Sequence, residues 1–287
     1  MALSPSLKFG QIIGNILEET IKLELYEVAK IHNLYLDYKH PRAARAGKSK
    51  VTWKDHKGNN HDLDFTLESG GSDATQGIPK AFIETAWRRY TKHSRNKAQE
   101  MQGAIGPLAE TYSKYNPFLG VVLAGVFTEG SLQQLRSHGF AILYFPYEVV
   151  VDAFLEAGVD ALFDESTTDE EMTLKIDSIN RIGDVGAAKV SNALITKHKS
   201  FIKDFFKDLD KSLMRRVTSV SVSALHGPVY EMHNINEALK YIEAYDQDGK
   251  VSGFLRFEMQ IRYTNGDNIC GKFENKLQAL VFLRSLI

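Results

Sequence analysis

The chain has 287 residues, 43% of them hydrophobic, 25% charged and 10% aromatic. This is ordinary globular composition, which excludes a largely disordered chain, a collagen-like repeat and a disulfide scaffold. Lys and Arg number 35 against 36 Asp and Glu, a net charge of −1, so bulk charge gives no reason to expect a polyanionic partner. The one cysteine, Cys270, has no internal partner for a disulfide. The longest apolar run, LGVVLAGVF from Leu119 to Phe127, is too short to span a bilayer, and the start MALSPSLKFGQ lacks a signal-peptide layout. A soluble, cytoplasmic protein with no membrane association is expected.

Taken in chain order, apolar residues at helical spacing (Ile12, Ile16, Leu17, Ile21, Leu25, Val28) predict an amphipathic helix over Phe9 to Ile31. Asn33 to Tyr38 alternates as a strand, and His40 to Ser49 is a basic loop. Val51 to Lys54 and His61 to Glu68 suggest a hairpin around KGNN. Ser69 to Pro79 is a flexible loop by composition, and Ala81 to Ala86 a short buried strand. A helix over Ser94 to Tyr115, the buried strand Leu119 to Val126, and a helix, strand and helix over Leu132 to Ala157 follow. The expected fold is therefore α/β with a mixed sheet and flanking helices. Ser166 to Lys211 is strongly helical. Beyond it come a strand at Arg215 to Ala224, a helix at Ile235 to Tyr245, a hairpin across TNGD within Val251 to Phe273, and a last helix from Lys276. The acidic stretch DESTTDEE suggests a division into residues 1–163 and 164–287, with no internal repeat expected.

Charge position says more than net charge. Lys39, Arg42, Arg45, Lys48, Lys50, Lys54 and Lys57 form one basic cluster. Arg88, Arg89, Lys92, Arg95 and Lys97 form another, and the compensating acids concentrate between Glu148 and Asp184. Local positive surface draws a polyanion whatever the total charge. Between the clusters, three of the acids stand out. Asp62 and Asp64 alternate along one expected strand and so share a face. Glu84 sits in AFIETA, where an unpaired carboxylate is costly. A shared divalent cation would make that burial tolerable, and oxygen ligands from adjacent strands suit Mg²⁺, with Mn²⁺ as a substitute.

Asp64, a loop, Glu84 on a hydrophobic strand and a basic helix after it resemble the PD-(D/E)XK nuclease superfamily, over roughly residues 9 to 160. The resemblance implies a restriction-endonuclease-like core and Mg²⁺-dependent hydrolysis of duplex DNA by a homodimer, in a restriction or anti-phage system. Asp64 and Glu84 would hold the metal, with Asp62 or a first-helix acid, Glu18 or Glu19, assisting. Arg88, Arg89 and Arg95 would hold phosphates, with Lys48 and Lys50 adding to the basic surface. The motif lysine is replaced by Ala86. Three explanations stand open: a basic residue from the next segment (Lys97, Lys92 or Arg88), a carboxylate migrated to Glu100, or a degenerate site in a protein that only binds DNA.

Weaker signals complete the survey. His61 and His93 lie near the acids, and Ile179 to Leu194 resembles a helix-hairpin-helix turn. Arg256 and Arg262, with Gln260, sit on a hairpin that could read base edges. No phosphate loop or dinucleotide fingerprint occurs, so no nucleotide cofactor is expected.

Overall fold

The computed structural model describes residues 4–225, 227–247, 249 and 253–287, apart from the side chain of His93. The fold is mixed α/β, and the chain divides into two compact units, residues 1–111 with 117–210, and residues 112–116 with 211–287. The division near residue 163 is therefore corrected to residue 210. The helix α5 (Asp169–Lys197) belongs to the first unit because it packs on α1 (Pro5–Ile31) and α4 (Tyr147–Glu156). It buries Met172, Ile176, Val190 and Leu194, and an acidic stretch ahead of it marks only its solvated N-terminus.

The first unit is organised by a five-stranded sheet in the order β1-β4-β5-β6-β7. The strands β1 (Tyr35–Asp37), β4 (Phe65–Ser69) and β5 (Ile78–Arg88) run antiparallel to their neighbours, whereas β6 (Phe118–Gly125) and β7 (Ala141–Pro146) continue parallel to β5. Both α1 and α2 (Thr91–Thr111) pack on β5, while α3 (Glu129–Ser137) and α4 pack on the β6–β7 side. Ser4 caps α1 by accepting from Leu7 N, with Pro5 at the first helical position, where its missing N–H costs nothing.

One strand expected over His61 to Glu68 is broken into two. The segment β3 (Asn60–Leu63) pairs with β2 (Val51–Lys54) as a separate two-stranded ribbon; after Asp64 the chain joins the main sheet as β4. Because β4 reaches β5 only as far as the Phe65–Ile83 pair, residues 84–88 of β5 have no antiparallel neighbour there.

The loop Ser69–Pro79, flexible by composition, is clamped from beneath. Arg42 is fully buried and donates to Asp37 Oδ2 (2.7 Å), to both Glu68 oxygens (2.6 and 3.0 Å), to Ser72 O (2.7 and 3.0 Å) and to Thr75 O (2.8 Å). Its guanidinium lies 4.3 Å from the centre of the Tyr35 ring. Arg45 pairs with Asp37 from the other side. Gly77 closes the loop, since a Cβ there would meet the Gly71 N and Ser69 O at 2.5 Å. Two members of the first basic cluster are thus internal structural cations.

The second unit carries a four-stranded antiparallel sheet, β11-β10-β8-β9, built from β8 (Val217–Ala224), β9 (Val229–Met232), β10 (Phe257–Tyr263) and β11 (Asn268–Phe273). A strand at Val229–Met232 was not expected. It completes a strand–strand–helix unit with α7 (Ile235–Ala244), which β10, β11 and α8 (Lys276–Arg284) repeat. Asn234 caps α7 and Asn275 caps α8; Glu237 and Gln278 reach back to the N–H of His233 and Glu274 in the same way. Ala238 and Ala279, both fully buried, occupy equivalent positions four residues after the caps. A structural repeat therefore exists where the sequence suggested none, because its identity lies in caps and burial pattern. Between the units, α6 (Lys199–Leu213) follows α5.

Replacing Arg42 by Met leaves Glu68 buried without its cation and Asp37 with Arg45 alone. Loss of about 3–5 kcal/mol of stability is expected, read by urea unfolding, together with early proteolysis within residues 69–79.

Candidate functional site

The open flank of β5 forms the wall of a cleft of about 740 Å³, lined by α1 (Gln11, Gly14, Asn15, Glu18), by Asp64, by Glu84 to Tyr90, and by Asn96, Lys97 and Glu100 of α2. The fork at Asp64 explains its position. With Phe65 opposite Ile83, Asp64 falls beside the start of the uncovered stretch, and its Oδ2 accepts from Thr85 N (2.7 Å) and Thr85 Oγ1 (2.8 Å). Oδ2 is thereby held by two donors, and Oδ1 carries no such bond.

Glu84 is 7% exposed. Burial, and then the charge of Asp64, push its carboxyl up to about 8, against the partly offsetting Lys97. Glu18, half-buried on α1, is raised to about 7 by burial and by Asp64. The only cation within 4 Å of Glu84 among the described residues is Lys97, whose Nζ is 4.0 Å from Oε2 and 3.7 Å from Glu100. Four carboxylates (Glu18, Asp64, Glu84 and Glu100) and three cations (Arg88, Arg89 and Lys97) thus line one cleft. Oxygen donors of this kind, raised by burial first and by a neighbouring carboxylate second, suit a hard divalent cation. Among the described residues, however, no three acidic, His or Cys side chains converge closely enough to form a ready-made metal cage.

The structure separates the candidates. It brings Asp64, Glu84, Glu18, Lys97, Arg88 and Arg89 to the cleft. It does not bring Asp62, which lies on the β2–β3 ribbon and bonds Lys50 Nζ (2.7 Å) and Thr52 Oγ1 (2.6 Å). The expected shared face of Asp62 and Asp64 is lost because the strand ends between them. Glu19 points away and pairs with Lys22. Lys92 is exposed, 6.0 Å from the Tyr90 ring, and does not line the cleft. Arg88 lies 3.8 Å from Glu100; Arg95 and Lys48 are exposed. His61 bonds Asp55 in the β2–β3 turn (3.0 Å), and the side chain of His93 lies outside the described residues. In the second unit Arg256 pairs with Glu258 (2.6 Å) and Arg262 with Glu231 (3.4 Å). The segment resembling a helix-hairpin-helix turn is a junction inside α5, where Gly183 adopts φ 52° and ψ −154°, a conformation reserved for glycine.

Sequence reasoning missed Thr85. The middle residue of a strand triplet carries no motif signal, and its role follows only from the fork that brings Asp64 alongside.

No protein-family model matches the chain, and no curated protein matches it. A solved structure of a protein of unknown function, AF1548, aligns with a TM-score of 0.28 at 9% identity, over 68% of this chain and 98% of that one. That level of likeness assigns neither family nor activity. Among the described residues no helix is long and apolar enough to cross a membrane.

The raised Glu84 carboxyl has a signed consequence. Between the ordinary carboxylate range and about pH 8, the folded state keeps a proton that the unfolded state has released, so stability falls as pH rises through that window and then levels. Glu84→Gln removes this slope. Its melting temperature is expected to exceed the wild-type value at pH 8.5 and to converge with it near pH 4, as scanning calorimetry across pH would read.

Proposed function

We propose that the protein is a Mg²⁺-dependent endonuclease of the PD-(D/E)XK type, hydrolysing phosphodiester bonds of duplex DNA as a homodimer in a restriction or anti-phage role. The observation that carries this reading is the approach of Lys97 Nζ to within 4.0 Å of Glu84 Oε2, inside the cleft that also holds Asp64 and Glu18. The superfamily's arrangement needs an ammonium beside the second carboxylate. Ala86 cannot supply it, and Lys97 does so from α2. Of the three explanations for the missing lysine, a basic residue from the next segment is the one this geometry favours.

Glu84 and Asp64 would hold the metal, with Glu18 assisting from α1; when bound it would supply an activated water and offset the charge building on the scissile phosphate. Thr85 fixes Asp64 Oδ2, which would leave Oδ1 for the metal. Lys97, as the ammonium beside Glu84, would orient the attacking water, a function that depends on its keeping that distance to Glu84. Arg88 at the end of β5 and the exposed Arg95 and Lys48 lie on basic surface that would meet the duplex backbone.

Incubation of unmodified and methylated phage and plasmid DNA with Mg²⁺, Mn²⁺ or EDTA tests the reading. Cleavage that EDTA abolishes is expected. Lys97→Met should cut at least about 100-fold more slowly, on the scale of a lost general acid–base group, while Lys92→Met stays near wild type. Intact DNA in every condition would overturn the nuclease reading; a gel shift indifferent to EDTA would then assign a DNA-binding protein on a nuclease-like fold. Equal rates for Lys97→Met and wild type would remove Lys97 from the chemistry.

A further inference from the structure

Arg89 differs from the other cations of the cleft. Arg88 stands 3.8 Å from Glu100, and Lys97 reaches both Glu84 and Glu100 within 4 Å. Arg89 has no carboxylate within that distance among the described residues, yet it is held firmly. Its Nε donates to Phe163 O (2.7 Å), and its guanidinium lies 4.0 Å from the Tyr147 ring, 5.2 Å from that of Tyr90 and 5.3 Å from that of Phe163. Tyr147 is itself fixed. Its hydroxyl donates to Phe163 O (3.0 Å) and accepts from Phe163 N (2.8 Å). The acid that follows Phe163, Asp164, turns its Oδ1 to Ser166 N and Oγ at 2.8 and 2.6 Å.

The guanidinium is therefore stacked on neutral rings and anchored through Nε to a carbonyl. Its terminal nitrogens carry no hydrogen bond among the described residues, and the residue lines the same cleft as the carboxylates. A planar cation whose orientation is fixed before binding loses little freedom on taking an oxyanion, and guanidinium geometry matches phosphate. Its place is offset from the carboxylates. Four strand steps of about 3.3 Å carry β5 from Glu84 to Arg88 at its end, and Arg89 follows it, farther from the carboxylates than Lys97.

We propose that Arg89 is a second, preformed phosphate seat, receiving a backbone phosphate a few nucleotides from the one that meets Glu84 and Lys97. The proposal deepens the nuclease reading and rests on it for the identity of the ligand. It makes the cleft a two-point grip on one strand, with the carboxylate end open to the reacting phosphate and the Arg89 end setting how far along the strand the substrate must extend.

The salt dependence of DNA binding tests it. Binding of the full-length protein to a defined 20-base-pair duplex is measured in EDTA over a series of salt concentrations, for wild type, Arg89→Gln and Arg89→Lys. Each phosphate neutralised contributes about 0.9 to the slope of log K against log salt. Arg89→Gln is expected to lower the slope by about that amount and affinity about tenfold, whereas Arg89→Lys keeps the slope. Should the Gln variant not fold, Arg89→Met, which keeps an unbranched stem against Tyr147, takes its place. An unchanged slope in the neutral variant overturns the seat, whatever the affinity does, because a purely structural arginine would weaken binding without altering the ion count. The two readings fail separately. A wild type that binds and cuts, with no slope change in the variant, removes only the seat. A slope change in a protein that cuts nothing removes the nuclease and leaves the seat. A wild type that binds no duplex in EDTA and cuts none with Mg²⁺ or Mn²⁺ removes both.

Discussion

The geometry of the cleft depends on one break in strand pairing. At Asp64 the chain leaves the β2–β3 ribbon and enters the main sheet, so β4 covers β5 only up to Ile83. Had the strand run on in register, residues 84–88 would be paired along that edge, and Asp64 would not turn its carboxylate to Thr85. The fork leaves Glu84 in a half-closed position, inside a strand but facing a space. It also sets Asp64 against Thr85, whose two donors hold one carboxylate oxygen. Opening, burial and ligand placement are thus consequences of a single change of partner.

The first unit contains two buried charge clusters, and their contrast bears on which is functional. Around Arg42 each charge is answered: Asp37 and Glu68 accept from Arg42 and Arg45, Gly77 N donates to Glu68, and the remaining guanidinium donors meet carbonyls. Such a network holds a loop and has no use for a ligand. Around Glu84 the pairing is looser: among the described residues its nearest cation is Lys97 at 4.0 Å, and burial, then neighbouring carboxylates, raise Glu18 and Glu84 to about 7 and about 8. The first cluster is complete as folded; on the proposed reading the second is completed by a cation or a substrate.

The elements with strong periodicity were legible: α1, β5, β6, α3, β7, α4 and the β10–β11 hairpin all lie close to where apolar spacing placed them. Glu84 was legible as well, because a carboxylate among Phe82, Ile83 and Ala86 is a local anomaly that needs no tertiary knowledge. What stayed hidden depends on long-range pairing. The split between β3 and β4 leaves no mark on the alternation of HDLDFTLE, so Asp62 and Asp64 looked equivalent until the strand ended between them. Arg42 looked like surface charge because its partners lie at Asp37, Glu68, Ser72 and Thr75, and a sum over a basic stretch cannot see them. The unit boundary was hidden for a related reason: α5 belongs to the first unit through packing on α1 and α4, and acidity at its start says only that one end is solvated.

The replacement of lysine by alanine two residues after Glu84 reads differently once the packing is known. Residues 84 and 86 share a face of β5, and Lys97 of α2 lines the same cleft with its side chain only 19% exposed. Ala86, itself 6% exposed, lines that cleft with a methyl group. On the proposed reading the ammonium has moved from strand to helix. The alanine is then the complement of that move, and a motif judged by residue type at fixed spacing would score as a loss what the cleft treats as a change of supplier.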